Sequence, residues 1–275
     1  MRRNDPAASS TKSGVRYFVR DDDVGELTDA LRGFVETFLE REIQVSYQII
    51  PSRLTADCAD YLLAHEREHP GLVEFGQHGL HHQMKLGGRL LLREFGPERT
   101  LDQQQADIDQ GLRLLKSRLG ADRQVHVFTP PQHKYDRSTV KAAAAAGHRI
   151  FSASSYPTLH HQLAYAAGRT LGLSSFGPQG VSHHGARRPE ADITELSISI
   201  DVDDGRALRY PAAGLADAVR RAAARTGRVG LMFHHAIYAE RNARSELSSI
   251  ADHLASYGPG NFYRLSSLAD GPSRD

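Results

Sequence analysis

The 275-residue chain contains one cysteine and no tryptophan. The single thiol, Cys58, excludes an intramolecular disulfide, so packing and hydrogen bonds must hold the fold together. The 34 basic residues balance 33 acidic ones, which leaves no net field to attract nucleic acid or anionic lipid. No apolar run approaches the ~18 residues needed to cross a bilayer. We therefore expect a soluble, intracellular protein with no nucleic-acid partner and no membrane span.

The chain divides into a short tail and one long domain. Residues 1–14 are polar and basic and lack the apolar segment of a secretion signal, so we expect a disordered tail and a cytoplasmic protein. Residues 15–270 can bury a sizeable core, since 40% of the chain is hydrophobic. Their length fits a single α/β barrel domain, because such barrels reach about 250 residues as one unit.

Strand-like and helix-like segments alternate along the chain. β-Branched and aromatic runs such as 15–20 predict strands, and apolar residues spaced three and four apart, as in 26–42, predict amphipathic helices. This alternation is typical of βαβ units around a parallel sheet. We predict an α/β fold in which the run 193–201 is one strand and the run 261–268 is the last.

Acidic and imidazole side chains recur where the predicted strands end. These residues are Asp21, Asp22 and Asp23 after the first strand, His78, His81 and His82 after the third, Pro131 and His133 after the fourth, and His234 and His235 after a late strand. In parallel barrels the carboxyl ends of the strands share one face, where the loops form the active site. We therefore expect these side chains to meet.

Two neutral imidazoles and one carboxylate form a common catalytic shell for Zn²⁺, and the same donors can hold Co²⁺, Ni²⁺ or Mn²⁺. His78 and His82 stand four residues apart. If the chain turned helical after the strand, both rings would lie on one face and His81 would point elsewhere. An aspartate after the first strand would supply the carboxylate. We expect one divalent ion, with zinc as the first choice.

Taken together, the motifs resemble the polysaccharide deacetylase family, of the NodB-homology or carbohydrate esterase 4-like type. "DDVG" at 22–25 is similar to the Asp-Asp pair of the family, "HGLHH" at 78–82 matches its two histidines, and "LMFHH" at 231–235 is similar to its late strand. The motifs cover roughly 15–268 in the family order. Together, "RDDDVG" at 20–25, "HGLHH" and "FTPP" at 128–131 look more like the divergent intracellular branches than the secreted enzymes. The resemblance implies a distorted (β/α) barrel of about seven parallel strands.

The resemblance also implies a metal-dependent deacetylase, a hydrolase of non-peptide C–N bonds that acts on an acylated amino sugar or sugar conjugate. The implied roles are general base for Asp22, metal ligand for Asp23, His78 and His82, general acid for His234, and substrate contact for Pro131, His133 and His235. Each motif alone has a simpler explanation, such as a helix cap, a surface histidine or the end of a strand. Only their combination favours a site.

Two histidines compete for the role of acid. Because adjacent strand residues point to opposite sides, only one of His234 and His235 should face the site, and His234 fits the motif better. Nearby, Asp201, Asp203 and Asp204 lack the downstream glutamate of a calcium-binding loop. We interpret them as a strand end followed by a turn.

At one position the sequence departs from the family pattern. The third family motif has an arginine that orients the base, whereas "FTPPQHKY" has Thr129 there, which leaves Arg20 and Lys134 as candidate replacements. Two alternatives therefore stay open. One is a hydrolase of another non-peptide C–N bond on the same fold, and the other is a non-catalytic, metal-dependent carbohydrate-binding protein. The sequence leaves the substrate, the metal and the formation of a homo-oligomer undecided.

Overall fold

The computed structural model of the chain describes residues 14–86, 88–91, 93–154 and 184–269, together with residues 163, 167, 170 and 171. The expected N-terminal tail lies outside the described residues, apart from residue 14. None of the helices in the described part is both long and apolar enough to span a membrane.

The described part contains strands and helices in alternation. The strands are β1 (Arg16–Val24), β2 (Val45–Ile49), β3 (Val73–Gln77), β4 (Met84–Leu86), β5 (Arg89–Leu91), β6 (Val127–Phe128), β7 (Ile150–Phe151), β8 (Thr194–Glu195), β9 (Ile200–Asp201) and β10 (Arg228–Phe233). The helices are α1 (Asp29–Leu39), α2 (Ala56–Glu68), α3 (Leu101–Leu119), α4 (Arg137–Ala145), α5 (Ala212–Thr226), α6 (Arg241–Ala255) and α7 (Leu265–Ala269).

Eight strands form one parallel sheet in the order β8-β7-β6-β3-β2-β1-β10-β9. The residues that connect β8 to β9 also make backbone hydrogen bonds to the neighbouring strands. The Leu196 N–H donates to the Phe151 carbonyl at 3.0 Å, and the Ser199 N–H donates to the Gly230 carbonyl at 2.8 Å. The predicted strand 193–201 therefore passes from β7 to β10 and links the two edges of the sheet. The predicted distorted (β/α) barrel is confirmed. Its eight strands occupy seven positions, because β8 and β9 are two parts of the single run 193–201.

The central strand β1 separates the barrel interior from the outer helical layer. Phe18 packs inside with residues such as Val127, whereas Tyr17 and Val19 belong to the larger cluster that includes the buried faces of α1, α2, α5 and α6. Gly230 is needed opposite Phe18, because a Cβ there would lie 2.2 Å from the phenyl ring. Alternate residues of β1 thus point to opposite sides, as strand geometry requires.

The prediction of a closing strand at 261–268 is wrong. Phe262 makes a single bridge to Tyr17, and the chain then enters the short helix α7. The buried carboxylate of Glu74 explains the change, since it accepts hydrogen bonds from the N–H groups of Leu265 and Ser266, both at 2.9 Å. These N–H groups begin a helix and would otherwise lack partners.

Candidate active site and metal centre

Asp23, His78 and His82 bring three potential ligand atoms together at the carboxyl ends of β1 and β3. The Nε2 atoms of His78 and His82 lie 3.2 Å and 2.9 Å from Oδ1 of Asp23. Among the described residues these three form a group that could hold a metal ion. The meeting of strand ends expected from the sequence is therefore observed for the ligand set.

A bulge in β1 allows two neighbouring aspartates to face the same site. The pairing of β1 with β2 shifts register between Asp21 and Val24, and Asp23 adopts a left-handed backbone with φ of 66°. An extra residue at a bulge breaks the alternation of side chains across a strand. Asp22 and Asp23 therefore both line the pocket, although a regular strand would point them apart.

The two histidines converge through a turn and not through a helix. Residues 78–82 form bends, and His82 has a left-handed φ of 68°. The ring of His78 is fixed by a hydrogen bond between Nδ1 and the carbonyl oxygen of Thr129 at 3.1 Å. Since a carbonyl only accepts, Nδ1 carries the proton and Nε2 presents a lone pair toward Asp23.

The donor set fits a divalent cation. Oδ1 of Asp23 is buried and accepts no hydrogen bond, although two imidazole nitrogens lie within 3.2 Å of it. Burial alone would raise the pKa of Asp23, but the His78 and His82 rings outweigh it and hold that pKa well below its usual value. The Asp23 oxygen and the two histidine Nε2 atoms thus face one another without forming hydrogen bonds, as ligands of one shared cation would. Two imidazoles and one carboxylate suit zinc and its neighbours.

Asp22 is held by an arginine from its own strand. Nε and Nη2 of Arg20 donate to Oδ1 and Oδ2 of Asp22 at 2.7 Å and 3.0 Å, and Nη1 donates to the carbonyl and hydroxyl oxygens of Ser152 at 2.9 Å and 2.8 Å. Arg20 is fully buried and Asp22 nearly so. Burial would raise the pKa of Asp22, but the guanidinium outweighs it and lowers the pKa, so the carboxylate is ionised.

Of the two candidate replacements for the family arginine, the structure brings Arg20 to the base. Lys134 is exposed. Thr129, which stands at the family position, is buried, and its hydroxyl donates to Oε1 of Gln48 at 2.8 Å. Arg20 and Asp22 are two residues apart on one strand, so both point into the barrel.

His234 is held by a carboxylate that the sequence interpretation placed in a turn. Nδ1 of His234 lies 2.7 Å from Oδ1 of Asp203, and its backbone N–H donates to Oδ2 at 3.0 Å. Burial would lower the pKa of His234, but the hydrogen bond to Asp203 and the charge of Asp22 raise it to about 9. His234 is therefore protonated at neutral pH, and Asp203 is a functional candidate that the sequence analysis missed.

His235, a predicted substrate contact, is not among the residues that line the pocket. Its backbone N–H and its Nδ1 both lie 2.9 Å from the carboxylate of Asp21, and both residues are buried. His235 begins a 3₁₀ turn just after β10, and its contact with Asp21 directs its ring away from the pocket. The Asp21–His235 pair joins the ends of β1 and β10 from outside the barrel.

Of the other two predicted substrate contacts, only His133 lines the pocket. It has a left-handed φ of 55°, and burial together with the nearby Arg20 charge lowers its pKa to about 3, so the ring is neutral. Pro131 is buried beside Gly79, where a Cβ would lie 2.7 Å from the proline ring. Pro131 is thus part of the packing behind the site.

The three candidate metal ligands, the candidate base Asp22 and the candidate acid His234 line one pocket of about 460 Å³. Its lining residues are Asp22, Asp23, His78, His82, Gln132, His133, Asp201, Asp204, Gly205, Arg206, Arg209, Met232 and His234. Four of the five non-glycine residues with positive φ in the described part lie here, at positions 23, 82, 132 and 133. Such strained backbone persists only where surrounding contacts enforce it, and it is concentrated at functional sites.

The sequence matches no family model and no curated protein. Similar solved structures do exist. A protein from Mycobacterium smegmatis assigned as a polysaccharide deacetylase superposes with a TM-score of 0.61 at 12% identity, covering 97% of this chain and 93% of that one. A carbohydrate esterase family 4 pseudoenzyme from Bacillus anthracis gives 0.57 at 11% identity, covering 94% and 66%. A 4-α-glucanotransferase from Thermococcus litoralis gives 0.59 at 12% identity, covering 94% and 40%.

The structural neighbours therefore include family 4 carbohydrate esterases and polysaccharide deacetylases, one of them a pseudoenzyme. The resemblance inferred from the motifs is confirmed at the level of the fold. The glucanotransferase shows that this fold also occurs in a protein with another activity, so the reaction must be argued from the site.

Proposed function

We propose that the protein is a metal-dependent hydrolase that removes an N-acyl group, with acetyl as the first choice, from an amino sugar or a sugar-containing small molecule. The observation that carries the proposal is the buried, two-pronged contact of Arg20 with Asp22 beside Asp23, His78 and His82. The contact keeps one carboxylate ionised and oriented next to the ligand set, so that it is free to accept a proton.

Each group in the pocket has one task in amide hydrolysis. A divalent cation held by Asp23, His78 and His82 supplies Lewis acidity, which polarises an acyl oxygen and makes a water molecule more acidic. Asp22 accepts a proton from the attacking water as the new C–O bond forms. His234 donates its proton to the nitrogen as the C–N bond breaks. The products are a carboxylic acid and a free amine.

The pocket supports a small substrate. Its volume of about 460 Å³ lies within the roughly 300–1,000 Å³ typical of small-molecule sites. Its lining is rich in hydrogen-bonding side chains, which suits a hydroxylated ligand such as an amino sugar. Zinc as the metal, a soluble intracellular substrate and a cytoplasmic location are part of the proposal and rest on the sequence.

A non-catalytic carbohydrate-binding protein is the second candidate. It is favoured by the pseudoenzyme among the structural neighbours and by the loss of the family arginine at Thr129. The Arg20–Asp22 contact weighs against it, because a protein that only binds sugar does not need an oriented, ionised base behind its ligand set.

The test compares wild type with Asp22→Asn on N-acetylated amino sugars in free, phosphorylated and nucleotide-linked form, each with added Zn²⁺ or Co²⁺. Release of acetate by wild type and its loss in Asp22→Asn, with metal content equal in both, would support the proposed hydrolase. Binding of metal and sugar by both proteins without release of acid from any substrate would establish the binding protein instead.

A further inference from the structure

Glu94 lies beside the loop that carries the second histidine ligand. We propose that Glu94 is a positioning residue that holds His82 in its metal-binding orientation, an inference that rests on the proposed metal site. Its carboxylate accepts hydrogen bonds from three consecutive backbone N–H groups, those of Leu80, His81 and His82, at distances between 2.9 and 3.1 Å. Glu94 is buried, with an exposed fraction of 1%.

Three consecutive N–H groups can face one carboxylate only if the backbone turns sharply. Gly79 and His82, at the two ends of this turn, have left-handed φ angles of 65° and 68°. The left-handed region is unfavourable for histidine. Hydrogen bonds from three N–H groups to one buried carboxyl group offset that cost. The His82 ring is therefore aimed at Asp23 by a backbone that Glu94 holds in place.

The residue at position 79 also depends on Glu94. A Cβ on Gly79 would lie 2.1 Å from Oε2 of Glu94 and 2.7 Å from the Pro131 ring. The antiparallel pair β4 and β5 lies between His82 and Glu94 and brings the chain back to the turn. This hairpin thus returns a carboxylate to the backbone of the metal ligands.

Zn²⁺ affinity of Glu94→Gln tests the inference, with Glu74→Gln as the matched control. Glu74 is also a buried carboxylate that accepts two backbone N–H bonds, but it lies on β3 at the end opposite the site. Glutamine has one carbonyl oxygen and would place an NH₂ group against the remaining N–H donors. We expect Zn²⁺ affinity about 10- to 100-fold weaker in Glu94→Gln, as for other groups that orient metal ligands, and unchanged in Glu74→Gln.

A second pair of variants tests the contact between Glu94 and the turn by changing the turn instead of Glu94. Gly79→Ala should displace Glu94 and weaken Zn²⁺ binding, whereas Gly71→Ala, at another positive-φ glycine with no atom within 4 Å of its Cβ, should not. Thermal unfolding of the metal-free proteins separates a purely structural role from a positioning one.

The outcomes can be told apart. Zn²⁺ affinity equal to wild type in Glu94→Gln and Gly79→Ala overturns the inference, as does failure of Glu94→Gln to fold without metal while Glu74→Gln folds. Absence of Zn²⁺ binding by wild type overturns the metal site itself, and with it the proposed function.

A separate group of metal-ligating side chains lies at the C-terminal end of α2, where His65 and Glu68 belong to the helix and His69 is its C-cap. We also infer that His65, Glu68 and His69 bind a second divalent transition-metal ion. Ligand atoms of the three lie within 4.8 Å of one another. His65 and Glu68 are three residues apart on the helix, and the backbone N–H of His69 still donates to the carbonyl of His65. The ring of His65 packs edge-on against Tyr61, with centroids 4.5 Å apart. Its buried Nδ1 lies 3.9 Å from a carboxylate oxygen of Glu68 and makes no hydrogen bond. The negative end of the helix dipole also favours a cation there.

Calorimetric titration with Ni²⁺ tests this second site. Imidazole ligands suit Ni²⁺ well, and we expect two binding events in wild type, one in His65→Ala and one in His78→Ala. His253→Ala is the control, since His253 also lies late in a helix but bonds to Tyr257. Two events in His65→Ala, or a single event in wild type that persists in His65→Ala, would overturn the second site.

Discussion

Replacing Asp203 by Asn should lower the pKa of His234. Asp203 bonds both the ring and the backbone N–H of His234 and is the largest of the influences that raise the histidine pKa from 6.5 to about 9. Asparagine keeps the shape and can still bond to the ring, but it removes the negative charge. Burial, which lowers the pKa, is then opposed only by the other aspartates.

The magnitude follows from the wild-type pKa. The difference between 6.5 and about 9 corresponds to about 3 kcal/mol of preference for the charged ring, because one pKa unit is worth about 1.36 kcal/mol. Since the folded pKa is raised, this stabilisation is fully present below pH 6.5 and is lost as pH rises through about 9. We expect Asp203→Asn to lose most of it, and its free energy of unfolding to vary less between pH 7 and pH 10.

Two measurements check this without knowledge of the substrate. NMR titration of the histidine ring protons, at equal Zn²⁺ loading, gives the pKa of His234 directly, and denaturant unfolding gives stability against pH. Once a substrate is known, the alkaline limit of the rate should move to lower pH in the variant. Asp204→Asn is the control, because Asp204 accepts backbone N–H bonds from Arg206 and Ala207 and does not touch His234. A His234 pKa that is the same in wild type and Asp203→Asn would refute the reasoning.

Three further predictions concern the base and the ligands. Arg20→Gln should destabilise the protein by about 3–5 kcal/mol in denaturant unfolding, because it leaves the buried Asp22 carboxylate without its partner; a change below ~1 kcal/mol would contradict the buried pair. Asp22→Asn should keep the metal and lower the rate by on the order of 10²- to 10⁴-fold, and full turnover would exclude it as the base. Metal analysis should show loss of the barrel ion in His78→Ala and His82→Ala but not in His81→Ala, and equal content in all three would remove the site.

The sequence predicts much of the fold because alternating strands and helices have few stable arrangements. It predicts the run 193–201 as a strand, and that run links β7 to β10 across the barrel. The C-terminal end was misassigned because the apolar pattern of 261–268 does not reveal that Glu74, far away in sequence, caps a helix there. The hairpin of β4 and β5 falls in a stretch without clear periodicity, so the sequence predicts only a loop.

The candidate site is predictable to the extent that strand ends determine it. Asp23, His78 and His82 meet because their strands are parallel and close in the barrel. The pairing of Arg20 with Asp22 is also predictable from the sequence, since residues two apart on a strand share a face. Glu94 carries no comparable signal, because its role depends on how a loop returns to the backbone of another loop.

Thr129 and Arg20 have to be considered together. Arg20 reaches Ser152, whose backbone N–H donates to the carbonyl of Phe128, the neighbour of Thr129. The Arg20 guanidinium therefore lies near the strand from which the family arginine would project. A second buried guanidinium there would face like-charge repulsion from Arg20 and the cost of desolvation. The small residue at 129 is thus the complement of the arginine at 20, and its presence does not by itself indicate a site that has lost its chemistry.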